Sequence, residues 1–119
     1  MLIGHPRQKV YLAAGATDMR KAVDGLAAIV QLDFDLCPFE PCLFAFCNRQ
    51  RNKVKILEWS ERGFWLHYFR LEKGRLPWPE SGTEVKPLDM TWQDLRWLLE
   101  GRPLRPIGQR LTEYPRYVV

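Results

Sequence analysis

The chain has 119 residues, 46% apolar and 27% charged, with a formal charge of +4 at pH 7. This is the composition of one ordinary globular domain, and it excludes a disordered or fibrous segment. Folding at this length buries roughly two-thirds of the surface of the extended chain, so one core suffices and the three cysteines are not needed as staples. No uncharged run approaches the about 20 apolar positions of a membrane span. The first residues lack the apolar core of a signal peptide, so the expected compartment is the reducing cytoplasm.

The charge is unevenly placed: residues 1–47 carry −1, residues 48–75 carry +5, residues 76–101 carry −3 and residues 102–119 carry +3. A basic middle and a basic end favour a polyanionic partner.

Lys9-Val10-Tyr11-Leu12-Ala13-Ala14 reads as a buried strand closed by Gly15. Met19, Ala22, Val23, Leu26, Ile29 and Val30 then recur at three- and four-residue spacing, which predicts an amphipathic helix with Thr17 or Asp18 as its cap. Gly25 inside it implies a close approach, with a neighbouring strand as the expected cause. Residues 33–41 hold two prolines and three acids and read as an irregular connection.

Residues 42–47, 54–59 and 64–71 are rich in aromatic and β-branched side chains and predict three strands in sequential antiparallel pairing. Apolar residues fall at both parities of the third, so the sheet is expected to be covered on both sides. Residues 84–88 suggest a short edge strand. Thr91, with Asp94 three positions later, opens a second helix that runs through Leu95, Leu98 and Leu99 to a stop at Gly101. The expected architecture is α+β: an antiparallel sheet of about four strands packed with two helices. It forms a single domain over 1–119, with its core at about 9–101 and an irregular basic tail at 102–119.

Asn48-Arg49-Gln50-Arg51-Asn52-Lys53, followed by Lys55, places a basic loop at a hairpin tip. Arginine and lysine neutralise phosphates, while Asn and Gln can donate to phosphate oxygens or base edges. Arg7, Lys9, Arg70, Lys73 and Arg75 could extend such a surface. Trp59, Trp65, His67 and Phe69 could stack on bases, but a domain this small needs its large rings in the core. Cys37, Cys42 and Cys47 at C-x4-C-x4-C do not have zinc spacing and read as buried thiols. His67 reads as a satisfied mid-strand histidine. No phosphate-cradling glycine loop, nucleophile elbow or zinc-protease motif occurs, and no spacing predicts convergent carboxylates. Neither catalytic residues, nor a metal, nor a cofactor is implied.

Several blocks taken together resemble the TnpB accessory protein of the insertion sequence sixty-six family: residues 11–21, Asp24-Gly25-Leu26-Ala27, Pro38-Phe39, residues 43–49, Lys55-Ile56-Leu57-Glu58-Trp59, Gly63-Phe64-Trp65-Leu66, residues 70–75, Trp78-Pro79 and Leu98-Leu99-Glu100-Gly101. The match spans about residues 9–101. Thr17, Asp18, Met19, Arg20 and Lys21 fall on its first signature, and Arg70, Leu71, Glu72, Gly74, Arg75 and Trp78 on its second. Ser60, Phe69 and Leu76 depart from it, and the missing lysine at Phe69 weakens a phosphate clamp there.

The resemblance implies a non-catalytic protein encoded beside a separate transposase and needed for efficient transposition. Its partners would be the transposase, other proteins of the same element and DNA; the alternative is a pure protein adaptor of the transposase. Arg20 and Lys21, read as helix first-turn residues, oppose the positive end of the helix dipole and so invite an anion. The expected anion- or nucleic-acid-binding residues are Arg20, Lys21, Arg49, Arg51, Lys53, Lys55, Arg70, Lys73 and Arg75.

Overall fold

The computed structural model describes residues 5–82 and 86–104. Among these residues five strands form one sheet in the order β4-β3-β2-β1-β5. They are β1 (Lys9–Leu12), β2 (Leu43–Cys47), β3 (Lys53–Ser60), β4 (Gly63–Arg70) and β5 (Leu88–Thr91), with helices α1 (Val23–Ala28) and α2 (Trp92–Leu99). The β2-β3-β4 meander is antiparallel as expected. The sheet as a whole is mixed, because β1 and β2 run parallel. The reason lies in the connection: a crossover containing a helix returns the chain to the end from which β1 started. The fifth strand, β5, pairs antiparallel with β1 and begins at Leu88, later than the expected edge strand, of which residues 84 and 85 lie outside the described set. The tail expected at 102–119 also lies outside the described residues beyond 104.

Side-chain alternation divides the core into two layers. Val10, Leu12, Leu43, Ala45, Cys47, Val54 and Ile56 face one side, where Leu95 and Leu98 of α2 and the extended Leu76 and Trp78 cover them. Phe44, Phe46 and Leu57 face the other, under Leu26 of α1 and Val30. Each fully buried leucine contributes on the order of 1.5–3 kcal/mol relative to exposure. Trp78 is held inside because its indole N–H donates to the Ala13 carbonyl at 2.9 Å.

The first helix starts later than its apolar stripe predicts, and neither Thr17 nor Asp18 caps it. The N-cap position is Ala22, without a side-chain hydrogen bond, and the helix passes into a π-helical turn at Ile29–Asp33. The carbonyls of Met19 and Lys21 accept hydrogen bonds from the Lys55 ammonium at 2.7 and 2.8 Å, so they are drawn toward the sheet and away from a helical ladder. Gly25 is crowded by Lys21, whose Cβ and Cγ would lie 3.1 Å from an added methyl; the expected neighbouring strand is not the closest group.

Cys42 and Cys47 are buried, and burial pushes both thiols up to about 11, whereas Cys37 is exposed, contrary to expectation. The aromatics are not all internal either: Trp65 and Tyr68 are each 55% exposed. They stand on β4, which among the described residues is an edge strand with a neighbour on one side alone.

The second helix begins as expected. Thr91 accepts from the Asp94 N–H, and Asp94 accepts from the Thr91 N–H at 3.1 Å, a reciprocal capping box. Thr91→Ala should lower the unfolding free energy by about 1 kcal/mol, read from the urea midpoint at an unchanged slope.

Candidate nucleic-acid interface

Three loops meet at the end of the sheet where β1 and β2 finish. The first, residues 15–21, is tied to β2 by the Thr17 N–H, which donates to the Cys47 carbonyl at 2.7 Å. Gly15, at φ +77, has only 3.0 Å between an added Cβ and Ser81, so its bare backbone lets residues 79–81 close over the turn.

The second loop is the β2-β3 connection, residues 48–52. Its organiser is Asn48, which is buried: its side-chain oxygen accepts from the N–H groups of Asn52 and Lys53, each at 3.0 Å, and its amide donates to Asn52 at 2.7 Å. Asn48 is therefore engaged in holding the loop together and is not available as the base or phosphate donor expected from its sequence position, while Asn52 contributes its side-chain oxygen and backbone N–H to the same network. Arg51 takes a left-handed φ of +58 at the turn. The third loop, residues 71–76, is pinned at both ends to the second. The Leu71 N–H donates to the Asn52 carbonyl and the Leu76 N–H to the Arg51 carbonyl, both at 2.7 Å.

This framework sorts the expected binding residues. Arg20, Arg49 and Lys53 line one groove of about 520 Å³ with Thr17 and Gln50. Arg51 lines a second depression of about 320 Å³ on the other side of Arg49, against Gly15 and Ser81. Arg70 lies opposite Lys53 across the β3-β4 ladder. Lys73 and Arg75 are exposed on the pinned third loop but line neither groove. Lys21 lines a different hollow, with Ala13, Ile29 and Phe34. Lys55 is structural, its ammonium bound to two backbone carbonyls. Arg7 and Lys9 stand at the opposite end, where Lys9 pairs with Asp89 at 3.3 Å.

The dipole conflict expected of Arg20 and Lys21 does not arise, since both precede the helix. Arg20 instead grips Asp18, with guanidinium bonds of 2.8 and 3.1 Å and a backbone N–H bond of 2.9 Å. Those hydrogen bonds hold the Asp18 carboxyl down at about 2. Arg70 is likewise paired, with Glu72 at 2.8 Å. Among the described residues, Arg49, Arg51, Lys53, Lys73 and Arg75 have no carboxylate within ion-pair distance, although Asp18 and Glu80 line the same two grooves as the hairpin cations. His67 bonds Glu58 at 2.7 Å, the satisfied role expected of it. Among the described residues no three metal-ligating side chains converge.

The chain belongs to the IS66 Orf2-like protein family, which matches residues 8–109. It is thereby a transposition-associated accessory protein, and the family match takes in all three loops. The uncharacterized protein y4hO of Sinorhizobium fredii (strain NBRC 101917 / NGR234) is 34% identical over 102 residues, covering 85% of this chain and 86% of that one. No solved structure matches the chain. Among the described residues, no helix is long and apolar enough to cross a membrane.

Two outcomes follow for these side chains. Asp18 should titrate near 2 by carboxyl NMR, below the ordinary 3.8. Because its pKa is depressed on folding, the stabilisation by the pair is present above the ordinary value and is lost as pH falls through the folded one. Arg20→Ala should return the titration toward the ordinary value. Lys55→Ala should cost about 2 kcal/mol in urea unfolding, the scale of hydrogen bonds to a charged donor.

Proposed function

We propose that the protein is a non-catalytic factor of a transposition complex whose basic end holds the phosphate backbone of DNA. The observation that carries this reading is the placement of Arg49, Arg51 and Lys53 on one closed hairpin with no described carboxylate within ion-pair distance of them. Like charges carried on one short turn repel one another, and an anion that bridges them removes the conflict. A hairpin tip flanked by two grooves is shaped to follow a backbone, and the Asn48 network keeps it closed, so little ordering is needed on binding. With the Asn48 amide engaged internally, the loop offers charge and shape ahead of base readout.

Anisotropy titration of labelled element-end DNA at several salt concentrations tests the reading. Log affinity should fall linearly with log salt, with a slope of about −0.9 per phosphate neutralised. Arg49→Ala/Arg51→Ala/Lys53→Ala should flatten that slope, whereas Arg7→Ala/Lys9→Ala, at the far end, should leave it unchanged. Equal losses from both variants, or no binding at low salt, would sink the DNA assignment.

A second reading, an adaptor that docks the transposase without touching DNA, is favoured by a separate feature. Phe39, 53% exposed, packs with Trp59 and Phe64 at centroid distances of 5.0 and 5.5 Å, an aromatic cluster open to solvent. Co-purification with the transposase that survives nuclease treatment and fails with Phe39→Ser supports that reading; co-purification abolished by nuclease counts against it.

A further inference from the structure

The two edges of the sheet differ. The β5 edge is four residues long, whereas β4 is eight residues long, Gly-Phe-Trp-Leu-His-Tyr-Phe-Arg, and no described segment pairs with its outer side. Sheet edges are ordinarily protected by prolines, lysines, bulges or brevity. β4 has no proline and no lysine, and its register with β3 is unbroken from Gly63 to Arg70, so there is no bulge. Its ring-bearing positions Trp65 and Tyr68 are more than half exposed, on opposite faces of the sheet.

The geometry points to this edge as the site where a second copy of the chain pairs, β4 against β4, antiparallel across a two-fold axis. The two-residue turn closes on Ser60 and Gly63 as a hydrogen-bonded pair. Alternation along the ladder then turns the N–H and C=O groups of Phe64, Leu66, Tyr68 and Arg70 outward. A two-fold normal to the sheet opposes residues of the same face. With the axis at His67, Phe64 lies opposite Arg70 of the second copy, Leu66 opposite Tyr68, and Trp65 opposite Phe69.

The flanks select this register by charge. Beyond the strand ends it brings the turn residue Arg62 toward Glu72 of the second copy, whose Oε2 binds Arg70 of its own chain and whose other oxygen remains for Arg62, and Glu61 toward Lys73; the symmetry makes each pair twice. Sliding by one pleat in one direction sets Arg62 against Arg70; sliding in the other sets Glu72 against Phe64. The imidazole at the axis is already engaged by Glu58 within its own chain. Trp65 of each copy gains an aromatic neighbour on a face that it otherwise presents to water. The axis would also carry the two basic ends to opposite ends of a continuous sheet. This pairing is independent of whether those ends bind DNA.

Light scattering on the full chain across a concentration series tests the pairing, with far-UV circular dichroism confirming that each variant remains folded. The mass should rise toward twice 14.1 kDa. Arg62→Glu replaces two attractions by two repulsions and should raise the dimer dissociation constant about tenfold. The swap Arg62→Glu/Glu72→Arg should restore it, and Tyr68→Lys should weaken it without affecting the turn. A mass of 14.1 kDa at every concentration overturns the proposal and leaves the edge to a strand of another protein. A dimer that Arg62→Glu leaves intact overturns it too, since pairing then uses a different surface.

Discussion

β2 is buried at every residue, Leu43 through Cys47, with β1 on one side and β3 on the other. A strand covered on both faces needs its backbone paired on both edges and apolar layers above and below, because an unpaired buried amide costs on the order of 1–3 kcal/mol. The parallel partner β1 meets the first demand, and its return crossover supplies α1 for one face while α2 and Trp78 close the other. The same strand sets where the charge is displayed. Its last carbonyl, that of Cys47, fixes the Thr17 loop, and its continuation is the hairpin that carries Arg49 and Arg51.

The basic end is thus held by backbone and amide hydrogen bonds, and its charges contribute little to holding it. Carbonyls of Cys47, Arg51 and Asn52 receive the N–H groups of the neighbouring loops, and Asn48 satisfies the turn from within. This separation leaves the hairpin cations free to interact outward. Where a cation does have a structural role it is visibly engaged: Lys55 binds two carbonyls, and Arg20 and Arg70 each bind a carboxylate two residues away. Such local pairs are exposed and contribute little to stability, but they remove charge from the surface that a distant anion would feel.

Much of the fold was legible because its signals are local. The strands at β2, β3 and β4 followed from aromatic and β-branched runs, their pairing from short connections, and the start of α2 from Thr91 and Asp94 three positions apart. The first helix was legible as a stripe but not in its start, because Lys55, distant in sequence, takes the carbonyls of Met19 and Lys21. Nothing in a linear pattern reports that competition. The exposure of Trp65 and Tyr68 was hidden for a similar reason: composition indicates that rings belong inside, but strand order decides which strand has a free edge.

For the candidate site, the sequence by itself determined which residues carry charge and that a basic run sits at a turn. It also showed the order of blocks by which the family is recognised. Spacing along the chain cannot tell a cation facing solvent from one bound to the backbone, since that depends on what the fold brings within about 3 Å of it. The tertiary structure alone decided that Lys55 is a strut, that Arg20 and Arg70 are paired, that Arg7 and Lys9 lie at the far end, and that Arg20 lines a groove with Arg49 and Lys53.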